Sequence, residues 1–359
     1  MSDAPLVGPR VVGHLARALG APCPTLVLDA ALLPADEWRL RPALAAIRRQ
    51  VGGQVMKFAL ISRSAEPGWD LDYRFVQGLP GRAERFDFGA ACGHSGLAAA
   101  LVAELLGWVG PLRRPGASVR LRGQGGALVV EAAGASSAGE SSAGGSTVGE
   151  GEYTLHYEPE ADPELLPTGL AYEPLRTDAG EVGASLVSFG NPYAFVAAAD
   201  LGLRGSAELF AADARVAARL APIRAAAAAR LGHPADGALP KLALVGAAEP
   251  AGLPVRALTA TGWHPGLALT GAVCLAAALT LPGTLPHRLA GAAGPSLPTP
   301  AGPFLPTPAA PPLLTPAGPV TATAVRAAGR LARVTVPHKR ARVLGRVVLA
   351  GGRPAAEAA

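Results

Sequence analysis

The stretch RFDFGAACGHSGLAAALVAELLG, residues 85–107, holds a cysteine between a strand-like run and an alanine-rich helical run. Cys92 therefore stands at a helix start. Unpaired backbone N–H groups and the helix dipole favour a thiolate there. The competing reading is an inert core thiol, because free cysteine is among the most buried residue types. Lys57, in QVMKFALIS, is one of three lysines among 32 basic residues. Burial lowers a lysine pKa, and a desolvated amine can act as acid or base. A strand-edge lysine whose head reaches water is the plainer alternative. Cys274 lies mid-helix in an apolar run and reads as core, while Cys23, in GAPCPT, lies in a turn. Lys241 and Lys339 read as a strand-end and a surface charge. His94 follows Cys92 by two residues and His264 opens a second small-residue turn, but the histidines lack metal-ligand spacing. GQGG at 123–126 lacks the lysine and the following helix of a phosphate loop, and no Ser-His-Asp motif is found.

The elements that must position these residues read as mixed α and β. Periodicity predicts a helix over 35–50 with a break at Pro42, and strands over 54–62, 72–77 and 85–88. It predicts an apolar helix over 96–106, a short strand over 185–188 and a turn at Gly190-Asn191-Pro192. A helical region at 206–231, strands at 241–245 and 255–258, and an apolar helix at 270–280 follow. Strands at 334–336 and 343–349 close the chain. A strand, a small-residue turn and an apolar helix recur in RFDFGAACGHSGLAAALVA and VRALTATGWHPGLALTGAVCLAAA. Two such halves facing each other place two helix N-termini at one cleft, which suits a substrate with two or more carboxylates.

Two segments look inserted. Residues 133–152 are rich in Gly, Ser, Ala and Glu and join the strand-like runs ALVVEAA and YTLHYEP, as a long hairpin loop would. Residues 294–319 carry the degenerate repeat LPTPAGP, LPTPAAP, LLTPAGP. Proline at that density predicts extended, polyproline-like chain rather than helix or central strand, as a surface linker or a docking element.

Bulk composition sets the remaining bounds. The chain has 359 residues, enough for two domains. Half of them are hydrophobic but only 5% are aromatic, so Ala, Val and Leu must build the core. The net charge of +5 comes from scattered arginines, with VPHKRARVLGR as the densest run. The absence of a basic stripe with interleaved aromatics argues against nucleic acid. Three distant cysteines suit a reducing compartment. No signal-peptide pattern opens the sequence, and LALTGAVCLAAALTLPG from Leu267 reads as a core helix rather than a membrane span, so a cytoplasmic protein is expected.

In order along the chain, KFALI, DYRFVQG, RFDFGAACGHSGLAA, VSFGNPYAFVAAADLGLRG, LPKLALV, WHPGLALTGAVCLAAALTLPGT and VPHKRARV resemble the motifs of the PrpF-type 2-methylaconitate cis-trans isomerases. These form a branch of the diaminopimelate epimerase-like fold. The resemblance spans roughly residues 20–349 outside the two insertions. It implies an α+β fold of two pseudo-symmetric halves, each with β-strands wrapped around a central helix and the active site between them. The expected halves are residues 1–184 with 330–359, carrying Lys57 and Cys92, and residues 185–329. It further implies a cofactor-independent isomerase or tautomerase that moves a proton on an unsaturated di- or tricarboxylate. Cys92 and Lys57 match the catalytic pair. Gly93, His94, Ser95, Asn191, His264, Thr270 and Gly271 are the implied substrate-binding residues. No metal, nucleic acid or membrane partner is implied, and a homodimer is the assembly expected.

The sequence also departs from the family pattern. An N-terminal Gly-Gly-Thr-Ser-Lys-Gly is replaced by Gly20-Ala21-Pro22-Cys23-Pro24-Thr25, Cys-Gly-Asn by Cys-Gly-His, and His-Pro-Ser-Gly by His338-Lys339-Arg340-Ala341. The epimerase cousins carry a second thiol where this chain has Ala268. An isomerase of a related acid, in secondary metabolism, is therefore expected rather than a two-thiol epimerase. The alternative is an eroded family member that binds carboxylates or serves as a scaffold.

Overall fold

The computed structural model describes residues 11–112, 114–133, 151–259, 262–291 and 310–350. The first half opens with strands β1 (Val11–Ala18) and β2 (Thr25–Asp29), helix α1 (Glu37–Val51), and strands β3 (Lys57–Arg63), β4 (Leu71–Gly78) and β5 (Phe86–Asp87). Helix α2 (Gly93–Leu105) follows, then β6 (Ser118–Gly123), β7 (Gly126–Ala132) and β8 (Gly151–Pro159). The second half contains β9 (Glu173–Thr177), β10 (Gly180–Phe189), β11 (Asn191–Ala197), α3 (Gly205–Ala211), α4 (Ala214–Arg230), β12 (Lys241–Val245), β13 (Leu253–Thr259) and β14 (Gly262–Trp263). Helices α5 (Leu269–Leu279) and α6 (Leu285–Gly291) come next, with β15 (Leu313–Thr315) and β16 (Gly318–Val320). Strands β17 (Thr323–Ala327) and β18 (Arg330–Leu349) return to the first half.

The first sheet runs β1-β2-β3-β4-β6-β7-β8-β18-β17 and closes on itself, because β1 also pairs with β18. Helix α2 lies inside this closed sheet. Its residues from Gly93 to Ala103 are all buried, as an α-helix without a polar face requires. The second sheet runs β16-β15-β13-β12-β11-β10-β9 and carries α5 on one face. All eleven residues of α5 are buried as well. Alanine and glycine let strands and tyrosine rings approach these two helices closely. A methyl group on Gly96 would lie 2.1 Å from Leu128 Cδ2, and one on Gly271 would lie 2.8 Å from Tyr193 Oη. One continuous core joins α2, α5 and both sheets. Separate clusters seat α1 outside the first sheet and α4 outside the second.

The two halves repeat one path. In the first, β1 pairs antiparallel with β2, the chain crosses through α1 to the parallel strand β3, turns back as β4, touches β5 and enters α2. In the second, β10 pairs antiparallel with β11, crosses through α3 and α4 to the parallel strand β12, turns back as β13, touches β14 and enters α5.

Some elements differ from the sequence reading. Pro42 does not break α1, which continues through it to Val51. The strand expected at 185–188 is the ten-residue β10, and the two closing strands are one, β18. A register shift between Val336 and Lys339, with His338 at φ 58°, hides the continuity of β18. Most of the proline-rich repeat and residues 134–150 of the expected hairpin loop lie outside the described residues. The repeat's last portion is sheet rather than polyproline-like chain: Leu313 pairs with Leu253 and is fully packed in the core. The sheets change over between 159 and 173 and between 320 and 323, rather than at 184/185 and 329/330, because β9 pairs with β10 and β17 with β18.

Candidate active site

Cys92 is the N-cap of α2, with extended backbone at φ −148° and ψ 107°. Its carbonyl accepts from the Gly96 N–H at 3.0 Å and from Tyr73 Oη at 2.9 Å. At the equivalent place in the second half the N-cap of α5 is Ala268. The two helix starts touch, since a Cβ on Gly93 would lie 3.3 Å from Leu269 Cβ. Both caps line one cavity of about 450 Å³ between the halves. The α5 cap carries no thiol, and the other cysteine among the described lining residues is Cys23, in the turn between β1 and β2.

Each half sends a lysine into this cavity from the first residue of the strand after its crossover. Lys57 opens β3, and Lys241 opens β12. Arg17 and Arg224 complete the cationic wall, and among the described lining residues there is no Asp or Glu. Burial opposes ionisation of Cys92, but Lys57, then Lys241, then Ser95 at the helix start outweigh it, so the thiol lies below its ordinary value. Lys241 is pushed down to about 8, chiefly by burial and also by Lys57, against the pull of Cys92. Its Nζ donates to Thr270 Oγ1 at 3.4 Å.

Two histidines are buried in the same wall. Burial, then the charge of Lys57, then His264 hold His94 well below its usual range. Burial, then Lys57 and Lys241, hold His264 at about 4. His264 Nδ1 accepts from the Gly266 N–H at 3.1 Å, which leaves the ring proton on Nε2. At neutral pH both imidazoles are uncharged, and His264 offers Nε2–H as a donor.

The structure thus gathers Cys92, Lys57, Gly93, His94, His264 and Thr270 around one cavity. Ser95, Asn191 and Gly271 are not on its wall. Ser95 is fully buried and its hydroxyl bonds Thr25 Oγ1 at 2.9 Å. The Asn191 amide is occupied inside the protein: Oδ1 accepts from the Ala91 N–H at 2.7 Å, and Nδ2 donates to Ala91 O at 2.8 Å and Thr270 Oγ1 at 3.0 Å. Asn191 therefore ties the turn before Cys92 to the start of α5. Gly271 admits the Tyr193 ring against α5. Two expectations are corrected here. Lys241 is a site residue rather than a strand-end charge, because β12 runs between β11 and β13 and its first residue faces inward. Lys339 is likewise pulled down by burial, since the register shift in β18 turns it in toward His94. The sequence signal for Lys241 was its place at the start of the strand after a long helical crossover, the same place Lys57 holds. Cys274 is fully buried, donates to Val187 O at 3.3 Å and is pushed up to about 12 by burial, as expected of a core thiol.

Among the described residues no three His, Cys, Asp or Glu side chains gather as metal ligands, and no helix is long and apolar enough to cross a membrane.

The whole chain is similar in fold to a methylitaconate-delta-isomerase, with 21% identity, a TM-score of 0.65, and coverage of 98% of this chain and 99% of that one. It is also similar to a hydroxyproline epimerase from Agrobacterium vitis with bound trans-4-hydroxy-L-proline, at 15% identity and a TM-score of 0.57, over 96% and 94% of the two chains. A Bacillus anthracis phenazine biosynthesis protein of the PhzF family matches at 12% identity and a TM-score of 0.52, over 95% and 99%. The architecture is the diaminopimelate epimerase-like fold that the motifs implied. In sequence, a Bacillus subtilis (strain 168) protein named "Putative isomerase YraM" is 33% identical over 148 residues. That match takes in 35% of this chain and only 40% of the relative's length. Residues 51–298, well over half of the chain, match the model of the PrpF protein family, and the chain belongs to that family.

Proposed function

We propose that the protein is an isomerase that moves a proton on an unsaturated di- or tricarboxylate. The observation that carries this reading is the ionisable thiol of Cys92 at a helix start, in a cavity walled by Arg17, Lys57, Arg224 and Lys241, with no acid among the described lining residues. A substrate with several carboxylates matches that charge, and an uncharged or cationic one does not.

The chemistry follows from the groups present. A carbon acid conjugated to a carboxylate loses its proton to the Cys92 thiolate, and the electron pair moves into a dienolate. The charge of Lys57 favours the thiolate beforehand and faces the charge that builds on the substrate afterwards. The N–H groups at the start of α2 and the Nε2–H of His264 are further donors for that charge. A proton returned to a different carbon completes a double-bond shift, and return after rotation completes a cis-trans change. Each route needs only proton transfers within the cavity. A screen of unsaturated di- and tricarboxylates in deuterium oxide tests the reading: at least one acid takes up solvent deuterium in step with isomer formation. Tight binding of such acids with no uptake from any of them contradicts it and leaves a carboxylate-binding protein.

A further inference from the structure

Moving a proton between two carbons requires a donor at the second as well as a base at the first. In a two-thiol arrangement the second cap would supply it, but Ala268 carries only a methyl group. The internal repeat shows what stands nearest in its place. Lys241 is to Ala268 as Lys57 is to Cys92: each lysine opens the strand that follows its half's parallel crossover, and each faces the same cavity. The other titratable groups facing the cavity from the second half are unsuited. The Tyr193 phenol is driven up by burial. Arg224 is spent on the carbonyls of Gly237 and Ala235. His264 is held neutral, mainly by burial. The Thr270 hydroxyl accepts from Asn191 Nδ2 and Lys241 Nζ, so it orients the amine.

We propose that Lys241 is a second catalytic residue, the acid that protonates the dienolate from the half of the cavity opposite Cys92. This rests on the function proposed above. In the first step the substrate C–H bond breaks, an S–H bond forms on Cys92, and the C–H electron pair enters the dienolate. In the second, the dienolate pair forms a new C–H bond at the other carbon while one N–H bond of Lys241 breaks. The thiol proton then passes to the amine, directly or through water, and restores the starting thiolate and ammonium. Lys241, driven down chiefly by burial, gives up a proton far more readily than an exposed lysine.

The test uses the full chain and its Lys241→Arg and Lys241→Met forms, with methylitaconate and the aconitate isomers as probes in deuterium oxide. Arginine keeps the charge but cannot serve as the acid. Lys241→Arg is expected to bind the acid within a few-fold and to keep deuterium wash-in at the carbon that Cys92 deprotonates, while isomer formation falls by about 10²-fold or more. Lys241→Met, which also removes the charge, is expected to bind more weakly and to isomerise no faster. Wild-type isomerisation by Lys241→Arg overturns the proposal, and if Lys241→Met alone then loses binding the residue is a carboxylate clamp. Equal loss of wash-in and isomerisation in Lys241→Arg also overturns it and makes Lys241 a support for Cys92. Absence of exchange in the unmutated chain with every acid refutes the underlying function, and this proposal falls with it; the other two outcomes refute the role of Lys241 alone.

Discussion

At the scale of single residues, charge placed beside a thiol sets its reactivity. Lys57 and Lys241 together pull the Cys92 thiol down against its burial. Removing either positive charge disfavours the thiolate, so Lys57→Met is expected to move the inflection of iodoacetamide alkylation to higher pH and to slow alkylation at pH 7. An unchanged profile would detach Lys57 from Cys92. The buried histidines make a separate prediction about stability. The folded value for His264 is about 4, below its ordinary 6.5, so the unfolded chain binds more protons between those values. Stability therefore falls as pH drops from 6.5 to 4, by about 3 kcal/mol for this residue alone. His94 acts in the same direction. Denaturant titrations should show a shallower acid loss in His264→Gln, and an identical slope would contradict its burial as a neutral base. Cys92 and Lys57 were legible in the sequence because their local settings are distinctive: a thiol at the start of an apolar helix, and a rare lysine inside an apolar strand. Lys241 was not, because its inward placement comes from flanking strands far away in the chain.

At the scale of elements, glycine and asparagine set the approach of α2 to its neighbours. A Cβ on Gly93 would lie 1.6 Å from Tyr157 Oη, so the ring or the helix start must move. Gly93→Ala is expected to cost about 1–3 kcal/mol in denaturant unfolding and to reduce activity with it. The Tyr157 hydroxyl is buried without a hydrogen-bond partner. Tyr157→Phe should therefore leave stability unchanged or raise it, and should recover part of the Gly93→Ala loss. A large loss in Tyr157→Phe alone would show a partner for that hydroxyl. Asn191→Ala strands the Ala91 backbone polar groups and frees Thr270. About 1–3 kcal/mol of stability and much of the activity should go with it, since it fixes both helix starts. The all-apolar helices were readable because no polar face interrupts them. The split reading of β18 arose because the positive φ at His338 resets the two-residue alternation. The strand β15 escaped because the prolines around it outweighed two leucines.

At the scale of the whole molecule, a closed sheet and an open sheet each hold a buried helix, and the two helix starts meet at one cationic cavity. The internal echo of strand, turn and helix made the two halves visible in the sequence, while closure of the first sheet by β1 and β18 depends on residues more than three hundred positions apart. The shared cationic wall makes association with a polycarboxylate salt-sensitive. The kcat/KM for a tricarboxylate should fall several-fold between low and half-molar salt, and fall less for a dicarboxylate. The proposed function stands or falls on Cys92 taking the proton with Lys57 stabilising the charges involved. It is tested most directly by solvent deuterium incorporation into the best acid from the screen, measured for the unmutated chain, Cys92→Ser and Lys57→Ala. Both variants are expected to fold and to lose exchange by about 10²–10⁴-fold. Exchange at the unmutated rate in both would contradict it.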